Sequence, residues 1–180
     1  RLLMIYKKTG LETYHSPMAL SGFLEEEYKK YNYEKFLTAL LGEKYFLNGN
    51  KTYGKGVANG IIWGGNLSTV VSLCGLDFIP DDNFIFFAED LNEPVYKIDK
   101  MFQQLFNIEQ FKSKCKGVVL GDFLNPDNEE WLDKYFYELA ERYSLPVSGG
   151  FNITHSGLKV TLPIGRNVLL DNCNLVIESS

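Results

Sequence analysis

The sequence predicts an α/β fold in which helices flank a mixed β-sheet. Apolar runs of strand length alternate with segments in which apolar residues recur at helical spacing, and Gly, Pro and Asn residues separate them. Residues 84–87 are continuously apolar, as strands in the interior of a sheet are. At 180 residues, 45% of them apolar, the chain has material for one domain and some additional segments.

The N-terminal segment predicts a helix followed by a short strand. Residues 1–9 are typical of the end of an amphipathic helix, with lysines in the last turn and Gly10 as its stop. No capping residue precedes this helix, so we expect the chain to begin inside the element. Residues 11–15 predict a strand, which ends at Pro17 because proline has no N–H group to continue a ladder.

A tyrosine-rich connection leads from this strand to the main domain. Residues 22–42 predict a charged helical stretch that packs on one face. The following Asn48-Gly49-Asn50 is a turn signal. We therefore divide the chain into a segment 1–50, which comprises the helix and the linker, and a domain 51–180.

Strands and helices alternate in the second region. The strands are expected at residues 57–63, 84–87, 117–120, 146–148, 159–162 and 174–178. The last of them is expected to close the sheet. Asn66 is expected to cap a short helix that runs to Cys74 and stops at Gly75.

Two longer helices follow. Pro94 opens the first, because proline suits the first helical turn. Its apolar face consists of Val95, Ile98, Met101, Phe102 and Leu105. Asp127 followed by Glu130 is a capping signature that opens the second. The residues that the second helix is expected to bury are Trp131, Leu132, Tyr135, Phe136 and Leu139.

Composition argues against several functional classes. The net charge is −5 with acids and bases interspersed, so we expect no nucleic-acid partner. No apolar run approaches the roughly 20 residues that span a bilayer, so no membrane role is expected. Cys74, Cys115 and Cys173 are far apart without CxxC spacing, which argues against a disulfide framework and fits a reducing compartment. With two histidines and no HExxH, we expect neither a metal nor another cofactor.

Glu89 and His155 are the strongest candidates for chemistry. Each follows a hydrophobic run, and a carboxylate beside an imidazole is the acid–base part of a hydrolytic triad. From the residues alone, a surface acid and a hydrogen-bonded loop histidine are the commoner explanation. No serine sits in a G-x-S-x-G setting, and Ser68, Ser148 and Ser156 are rejected as nucleophiles.

Other polar residues near these two receive structural roles. Asp90 and Glu93 are expected to cap the helix that Pro94 opens or to support the site. A glycosidase that uses Glu89 and Glu93 as its acid pair is a weaker alternative. Asp99 and Lys100 suggest a structural ion pair. His15 is expected to form local hydrogen bonds.

The stretch Gly64-Gly65-Asn66 has two interpretations that stay open. Glycine backbone and helix N–H groups can approach a ligand closely, or the residues form a tight turn with a helix cap. Trp63, just before them, either walls a substrate cleft or belongs to the core.

Three motifs together resemble the LD-carboxypeptidase family of serine peptidases, which includes the microcin C self-immunity proteins. They are Gly60-Ile-Ile-Trp-Gly-Gly-Asn-Leu-Ser68, Ala88-Glu89-Asp90-Leu-Asn-Glu93-Pro94-Val-Tyr96-Lys-Ile-Asp99-Lys-Met101, and Gly149-Gly-Phe-Asn-Ile-Thr-His155 with Thr161-Leu-Pro163-Ile-Gly165. Tyr14-His-Ser-Pro-Met18 resembles the family's linker, in which glycine is usual at the position of Ser16.

The resemblance implies a cytoplasmic hydrolase of two domains with a Ser-Glu-His triad at their interface. Glu89 would be the triad carboxylate and His155 the general base. The serine would lie a few residues before Arg1, in a nucleophile domain that is missing here together with the oxyanion donors. Trp63, Gly64, Gly65 and Asn66 would bind substrate.

The implied reaction removes the terminal D-alanine from a murein tetrapeptide during wall recycling. The alternatives are a microcin C-type peptidyl-nucleotide substrate and a non-catalytic binding domain. The expected partners are therefore a peptide substrate and the missing N-terminal domain of the same protein. Without that domain, exposed apolar surface is expected to cause self-association, for example as a homodimer.

Overall fold

Parallel strands form the centre of the fold. The computed structural model describes residues 1–18, 22–24, 26–155 and 157–180. Its strands are β1 Thr13–His15, β2 Tyr45–Asn48, β3 Lys51–Gly54, β4 Val57–Asn66, β5 Phe84–Leu91, β6 Cys115–Leu124, β7 Val147–Gly149, β8 Leu162–Ile164, β9 Asn167–Asp171 and β10 Asn174–Ile177. Its helices are α1 Leu2–Thr9, α2 Glu26–Leu40, α3 Leu67–Val71, α4 Val95–Phe106, α5 Glu109–Lys114 and α6 Glu129–Tyr143.

Eight of the strands form one mixed sheet in the order β2-β10-β9-β4-β5-β6-β7-β3. Strands β4, β5, β6 and β7 run parallel, and antiparallel strands flank them on both sides. The predicted α/β class with a mixed sheet and flanking helices is therefore confirmed. A separate antiparallel ribbon pairs β1 with β8, which joins the N-terminal segment to the chain beyond His155.

The core explains why the central elements could be predicted. The side chains of residues 84–87 in β5 are fully buried, because a parallel strand is covered on both faces. Burying one such phenylalanine contributes roughly 1.5–3 kcal/mol. Helix α4 buries Val95, Ile98, Phe102 and Leu105, as its spacing predicts. Met101 is partly buried against the same core.

The start of α6 corrects two expectations. The N-cap is Asn128, whose Oδ1 accepts a hydrogen bond from the Trp131 amide at 2.9 Å. Asp127 instead accepts from the Val95 amide at 2.7 Å and so supports the start of α4. Trp131 is 65% exposed, whereas Leu132 and the later predicted residues of α6 are buried. Position 131 lies about 100° around the helix from position 132 and thus turns outward.

Several boundaries also differ from the predicted ones. Helix α3 ends at Val71 rather than Cys74, and α2 occupies 26–40 of the predicted 22–42. The predicted strand 159–162 overlaps β8 only at Leu162, and β2, β3 and β9 were not predicted. The expectation that residues 174–178 close the sheet is wrong, because β10 lies between β9 and the edge strand β2.

The turn predicted at residues 48–50 lies between β2 and β3. The division of the chain at residue 50 stays a prediction, and β2 from the N-terminal side of it contributes to the large sheet. No helix in the described ranges combines the length and the apolar character that crossing a membrane requires.

A buried ion pair fastens the N-terminal segment to the sheet. Arg166, 4% exposed, donates from Nε to Glu12 Oε2 at 2.8 Å and from Nη2 to Glu12 Oε1. Its Nη2 also donates to the carbonyl oxygen of Ala39 at the end of α2, at 3.0 Å. One arginine thereby links the loop before β1, helix α2 and the sheet.

Replacing Glu12 with glutamine is expected to lower the free energy of unfolding by about 2 kcal/mol. The change leaves the buried guanidinium without its counter-charge, and the partial exposure of Glu12 reduces the loss below that of a fully buried pair. Urea unfolding of the parent protein and of Glu12→Gln measures the difference in the free energy of unfolding. Glu43→Gln, at an exposed position, should change stability by less than about 0.5 kcal/mol. Equal stability of the two variants would show that the ion pair contributes nothing.

Candidate functional site

Glu89 lies inside strand β5, two residues beyond its predicted end. It is 3% exposed and pairs in register with Asn66 of the parallel strand β4. The strand continues through Leu91, so the carboxylate is presented from rigid sheet rather than from a loop. A carboxylate fixed in this way suits a role in orienting another group.

His155 lies in the loop between β7 and β8, and β6 supports that loop. The amide of Asp122 donates to the carbonyl oxygen of Ile153 at 2.8 Å, and Ile153 is fully buried. Gly121 permits this approach, since a Cβ there would lie 2.0 Å from the same carbonyl oxygen. The His155 side chain itself is 57% exposed. The loop is therefore anchored while the imidazole stays accessible.

Asn32 of helix α2 holds the other end of the loop. Its side chain is fully buried, accepts from the Lys159 amide at 2.8 Å and donates to the Gly157 carbonyl oxygen at 3.3 Å. No role was predicted for Asn32 from the sequence. The signal available was an asparagine inside a helix, where its short polar side chain is unfavourable unless it finds partners.

The structure brings Glu89 and His155 together. His155 Nδ1 lies 3.9 Å from Glu89 Oε2, beyond hydrogen-bond length. Glu89 Oε2 is buried without a hydrogen-bond partner among the described residues. A small movement of the imidazole would close the gap, and catalytic hydrogen bonds are often long before substrate binds. Glu89 can thus orient the imidazole of His155 for a role as a general base.

Burial dominates the electrostatics of Glu89. Burial, with smaller contributions from the neighbouring Asp90 and Asp122, raises the pKa of the carboxyl group to about 7. Lys159 and a hydrogen bond from Asn66 act in the opposite direction. Burial lowers the pKa of Lys159, and the attraction of Glu89 partly offsets that effect. Lys159 is therefore the cation that the carboxylate senses most strongly.

Replacing Glu89 with glutamine is expected to stabilise the protein by about 2 kcal/mol at pH 8 and to change little at pH 4.5. The folded carboxyl has a pKa of about 7 against an ordinary 4.5, so stability falls as pH rises through this window. Glutamine removes this loss. Thermal unfolding at both pH values measures the effect. Glu141→Gln, exposed on α6, should not alter the pH dependence. A pH-independent difference for Glu89→Gln would contradict the raised pKa.

Asp90 caps a different helix from the one expected. Its carboxylate accepts from the Ser68 amide at 2.8 Å and from Asn66 Nδ2 at 2.8 Å, at the start of α3. Glu93 lies 3.4 Å from Lys97, one turn along. Neither caps α4. These contacts give Glu93 an ion-pair role and leave the glycosidase alternative without support.

Asp99 does not pair with Lys100. Its Oδ1 accepts from Gln103 Nε2 at 2.7 Å and lies 3.8 Å from Arg142 Nη1. The expected ion pair is therefore formed with a residue of α6 instead.

The glycine-rich segment fits both of its interpretations. Asn66 caps α3, because its Oδ1 accepts from the Thr69 amide at 3.1 Å. Gly64, Gly65 and Asn66 also line a cavity of about 180 Å³ beside the N-terminal helix. Trp63 is fully buried, with its ring centroid 5.5 Å from that of Tyr6. Its position is that of a core residue behind the cavity.

One ring nitrogen of His15 lacks the local hydrogen bond expected of this residue. Its Nε2 is buried with no partner in the described part of the chain, and its ring lies edge-on to Phe87 at 5.2 Å. Burial, together with the charges of Lys159 and His155, lowers the pKa of His15 to about 4. The second histidine therefore lies close to the first, which sequence spacing does not reveal.

The serines rejected as nucleophiles have structural contacts. Ser68 Oγ donates to Asn66 Oδ1 at 2.9 Å within the α3 cap. Ser148 is buried and donates to the Asn172 carbonyl oxygen at 2.7 Å. Ser156 lies outside the described residues. Across the ranges that the structure describes, no group of three or more His, Cys, Asp or Glu residues is arranged to hold a metal ion.

Comparison with known proteins places this geometry in context. The family model for the LD-carboxypeptidase C-terminal domain matches residues 59–170. Over 174 residues the chain is 26% identical to the microcin C7 self-immunity protein MccF of Escherichia coli, covering 94% of this chain and 48% of that protein. Over 193 residues it is 28% identical to a probable murein peptide carboxypeptidase of Bacillus subtilis strain 168, covering 97% and 58%.

A solved structure agrees in fold. The crystal structure of muramoyltetrapeptide carboxypeptidase from Oxalobacter formigenes matches with a TM-score of 0.84 at 24% identity, covering 99% of this chain and 65% of that chain. This likeness establishes the fold alone. The chain spans about half the length of the curated relatives it matches.

Proposed function

The chain belongs to the LD-carboxypeptidase family, and we propose on this premise that it supplies the acid–base half of a serine carboxypeptidase. The observation that carries the proposal is the approach of His155 Nδ1 to the buried Glu89 carboxylate at 3.9 Å. The nucleophilic serine lies upstream of Arg1. An upstream domain of the same protein that carries this serine covers the exposed apolar residues of α1 and the following loop, Leu2, Ile5 and Leu11. Without it, the same residues promote association into homodimers.

The proposed division of labour follows from which nitrogen faces Glu89. Because Nδ1 faces the carboxylate, Nε2 of His155 is left to accept the serine proton. The serine oxygen then bonds to the peptide carbonyl carbon, and His155 returns the proton to the leaving amine. A water molecule hydrolyses the acyl-enzyme by the same route. Glu89 fixes the imidazole tautomer and stabilises the imidazolium in both steps.

The proposed substrate is a murein tetrapeptide that loses its terminal D-alanine, in the cytoplasm, during peptidoglycan recycling. The name of the B. subtilis relative, a probable murein peptide carboxypeptidase, supports this choice. The residues that line the substrate pocket in this proposal are Gly64, Gly65 and Asn66, with Trp63 behind them. No nucleic acid, metal or other cofactor takes part.

A second candidate substrate is a peptidyl nucleotide of the microcin C type. The similarity to the self-immunity protein MccF over 94% of this chain favours it. Both substrates present an acyl group to the same triad, so the alternative changes the leaving group and not the acid–base residues. A non-catalytic binding domain remains the alternative of another class, and it requires that no serine on a strand–helix elbow precedes Arg1.

D-Alanine release from a murein tetrapeptide tests the proposal. The protein with its natural upstream sequence is assayed beside the 180-residue chain and a Glu89→Ala variant. D-Alanine release by the protein with its upstream sequence, and by neither of the other two, supports the triad. Release of an aminoacyl group from a peptidyl nucleotide, without D-alanine release from the tetrapeptide, would show that the peptidyl nucleotide is the substrate. No turnover of either compound would leave the binding domain as the explanation.

A further inference from the structure

His15 occupies a position between the linker and the acid–base pair. It is the last residue of β1 and pairs with Leu162 of β8, in the chain that follows His155. Its ring contacts Phe87, two residues before Glu89 in β5. It also lines the cavity that Gly64 and Gly65 line. The imidazole is therefore a wall of the glycine-lined cavity and not part of the linker surface.

The chemistry of this imidazole is that of a neutral hydrogen-bonding group. Buried polar atoms without a partner are rare in folded proteins, and His15 Nε2 is one of them among the described residues. Burial and the charges of Lys159 and His155 hold the pKa of His15 near 4, so the ring is uncharged at neutral pH. A neutral imidazole offers one N–H donor, and a rotation of the buried ring that exposes Nε2 would let it donate to an acceptor atom in the cavity.

The surroundings indicate an anionic acceptor. Arg1 lines the same cavity, and Lys159 and His155 are the groups whose charge reaches His15. A carboxylate that enters the cavity therefore meets Arg1 in its lining, while Lys159 and His155, which do not line the cavity, act on His15 through their charge alone. The cavity volume of about 180 Å³ is below the roughly 300–1,000 Å³ typical of sites for drug-sized ligands. It has room for one small residue at the end of a longer ligand.

We propose that His15 is a substrate-binding residue whose Nε2–H donates a hydrogen bond to the free carboxylate of the peptide's C-terminal residue, seated in the cavity lined by Gly64 and Gly65. The inference rests on the proposed carboxypeptidase function, because only a substrate that ends in a free carboxylate beside the scissile bond would use this donor. The hydrogen bond from His15 would make the site selective for the C-terminal peptide bond over internal peptide bonds.

Binding of free-acid and amidated peptides tests the assignment. The protein with its natural upstream sequence and the change His155→Ala, which prevents turnover, is titrated with a tetrapeptide whose C-terminus is either a carboxylate or an amide. The carboxylate form is expected to bind roughly ten- to a hundredfold more tightly, the value of a hydrogen bond to a charged group. Adding His15→Phe should abolish that preference, and His15→Gln, which keeps an N–H donor, should restore part of it.

Histidine NMR gives a readout that does not depend on affinity or on folding of the variants. The chain has two histidines, so in the His155→Ala protein the one remaining imidazole within residues 1–180 is His15. Comparison with the His15→Gln spectrum identifies its signals. The carboxylate peptide should shift them and the amidated peptide should not. Unmoved signals at saturation, or an unchanged acid-to-amide ratio in a folded His15→Phe protein, would overturn the assignment.

The matched control is Tyr14→Phe. Tyr14 neighbours His15 in β1 and donates to Glu12 at 2.6 Å, so the change disturbs the same strand without touching the cavity. It should leave the acid-to-amide ratio unchanged, and a ratio that falls as far as in His15→Phe would overturn the assignment to His15. Turnover by the unmodified protein is measured separately. Failure to release D-alanine would count against the proposed reaction, whereas the peptide titrations decide the role of His15.

Discussion

Replacing His155 with alanine, in the protein with its natural upstream sequence, is expected to lower kcat by about three to six orders of magnitude. The imidazole is proposed to carry the proton in both chemical steps, and water cannot substitute for it at the same position. KM should change far less, because His155 is proposed to act on the reacting atoms rather than to hold the peptide. Steady-state release of D-alanine from a murein tetrapeptide measures both constants.

The structure supplies the controls for this prediction. The His155 side chain is 57% exposed, so its loss should leave the melting temperature within a few degrees of the parent value. Glu89→Ala should also reduce kcat, and the double variant should be no slower than His155→Ala, because Glu89 is proposed to act only through the imidazole. Activity within tenfold of the parent in a folded His155→Ala protein would rule out the triad.

The central strands and helices could be predicted because buried positions in them are occupied by apolar residues in a recognisable pattern. A strand covered on both faces reads as an unbroken apolar run, as residues 84–87 and 117–120 do. Helices α4 and α6 show their buried stripes at helical spacing. The antiparallel strands β2 and β9 were missed because the inward face of each consists of two residues, Val168 and Leu170 in β9 and Tyr45 and Leu47 in β2. Two alternating residues do not stand out from a loop.

The candidate site was predictable only as far as local motifs reach. Glu89 and His155 were found through family motifs, and their separation of 3.9 Å depends on a loop that Asn32 and Gly121 hold. His15 reaches the site through the pairing of β1 with β8. No period or motif links residues 140 positions apart in this way, so the sequence offered only a local role for His15.

Replacing Gly64 with alanine is expected to lower the free energy of unfolding by about 4 kcal/mol. Two effects add at this position. Its φ of 153° is one that side chains rarely adopt, and a Cβ would lie 1.9 Å from the carbonyl oxygen of Phe87, its register partner in β5. Relieving the clash requires β4 and β5 to separate where Glu89 is presented. Urea unfolding measures the loss, and D-alanine release should fall with it.

Gly65 separates the two effects, because it shares the backbone geometry without the clash. Its φ is 155°, yet the nearest atom to an added Cβ is Val70 Cγ2 at 3.7 Å, an ordinary contact. Gly65→Ala should therefore cost only the backbone strain, about 1–2 kcal/mol. The difference between the two variants then reports the close approach of β4 to β5. If both variants lose the same stability, β4 and β5 accommodate the methyl group at position 64. The position of Glu89 in β5 then does not require the close approach of these two strands.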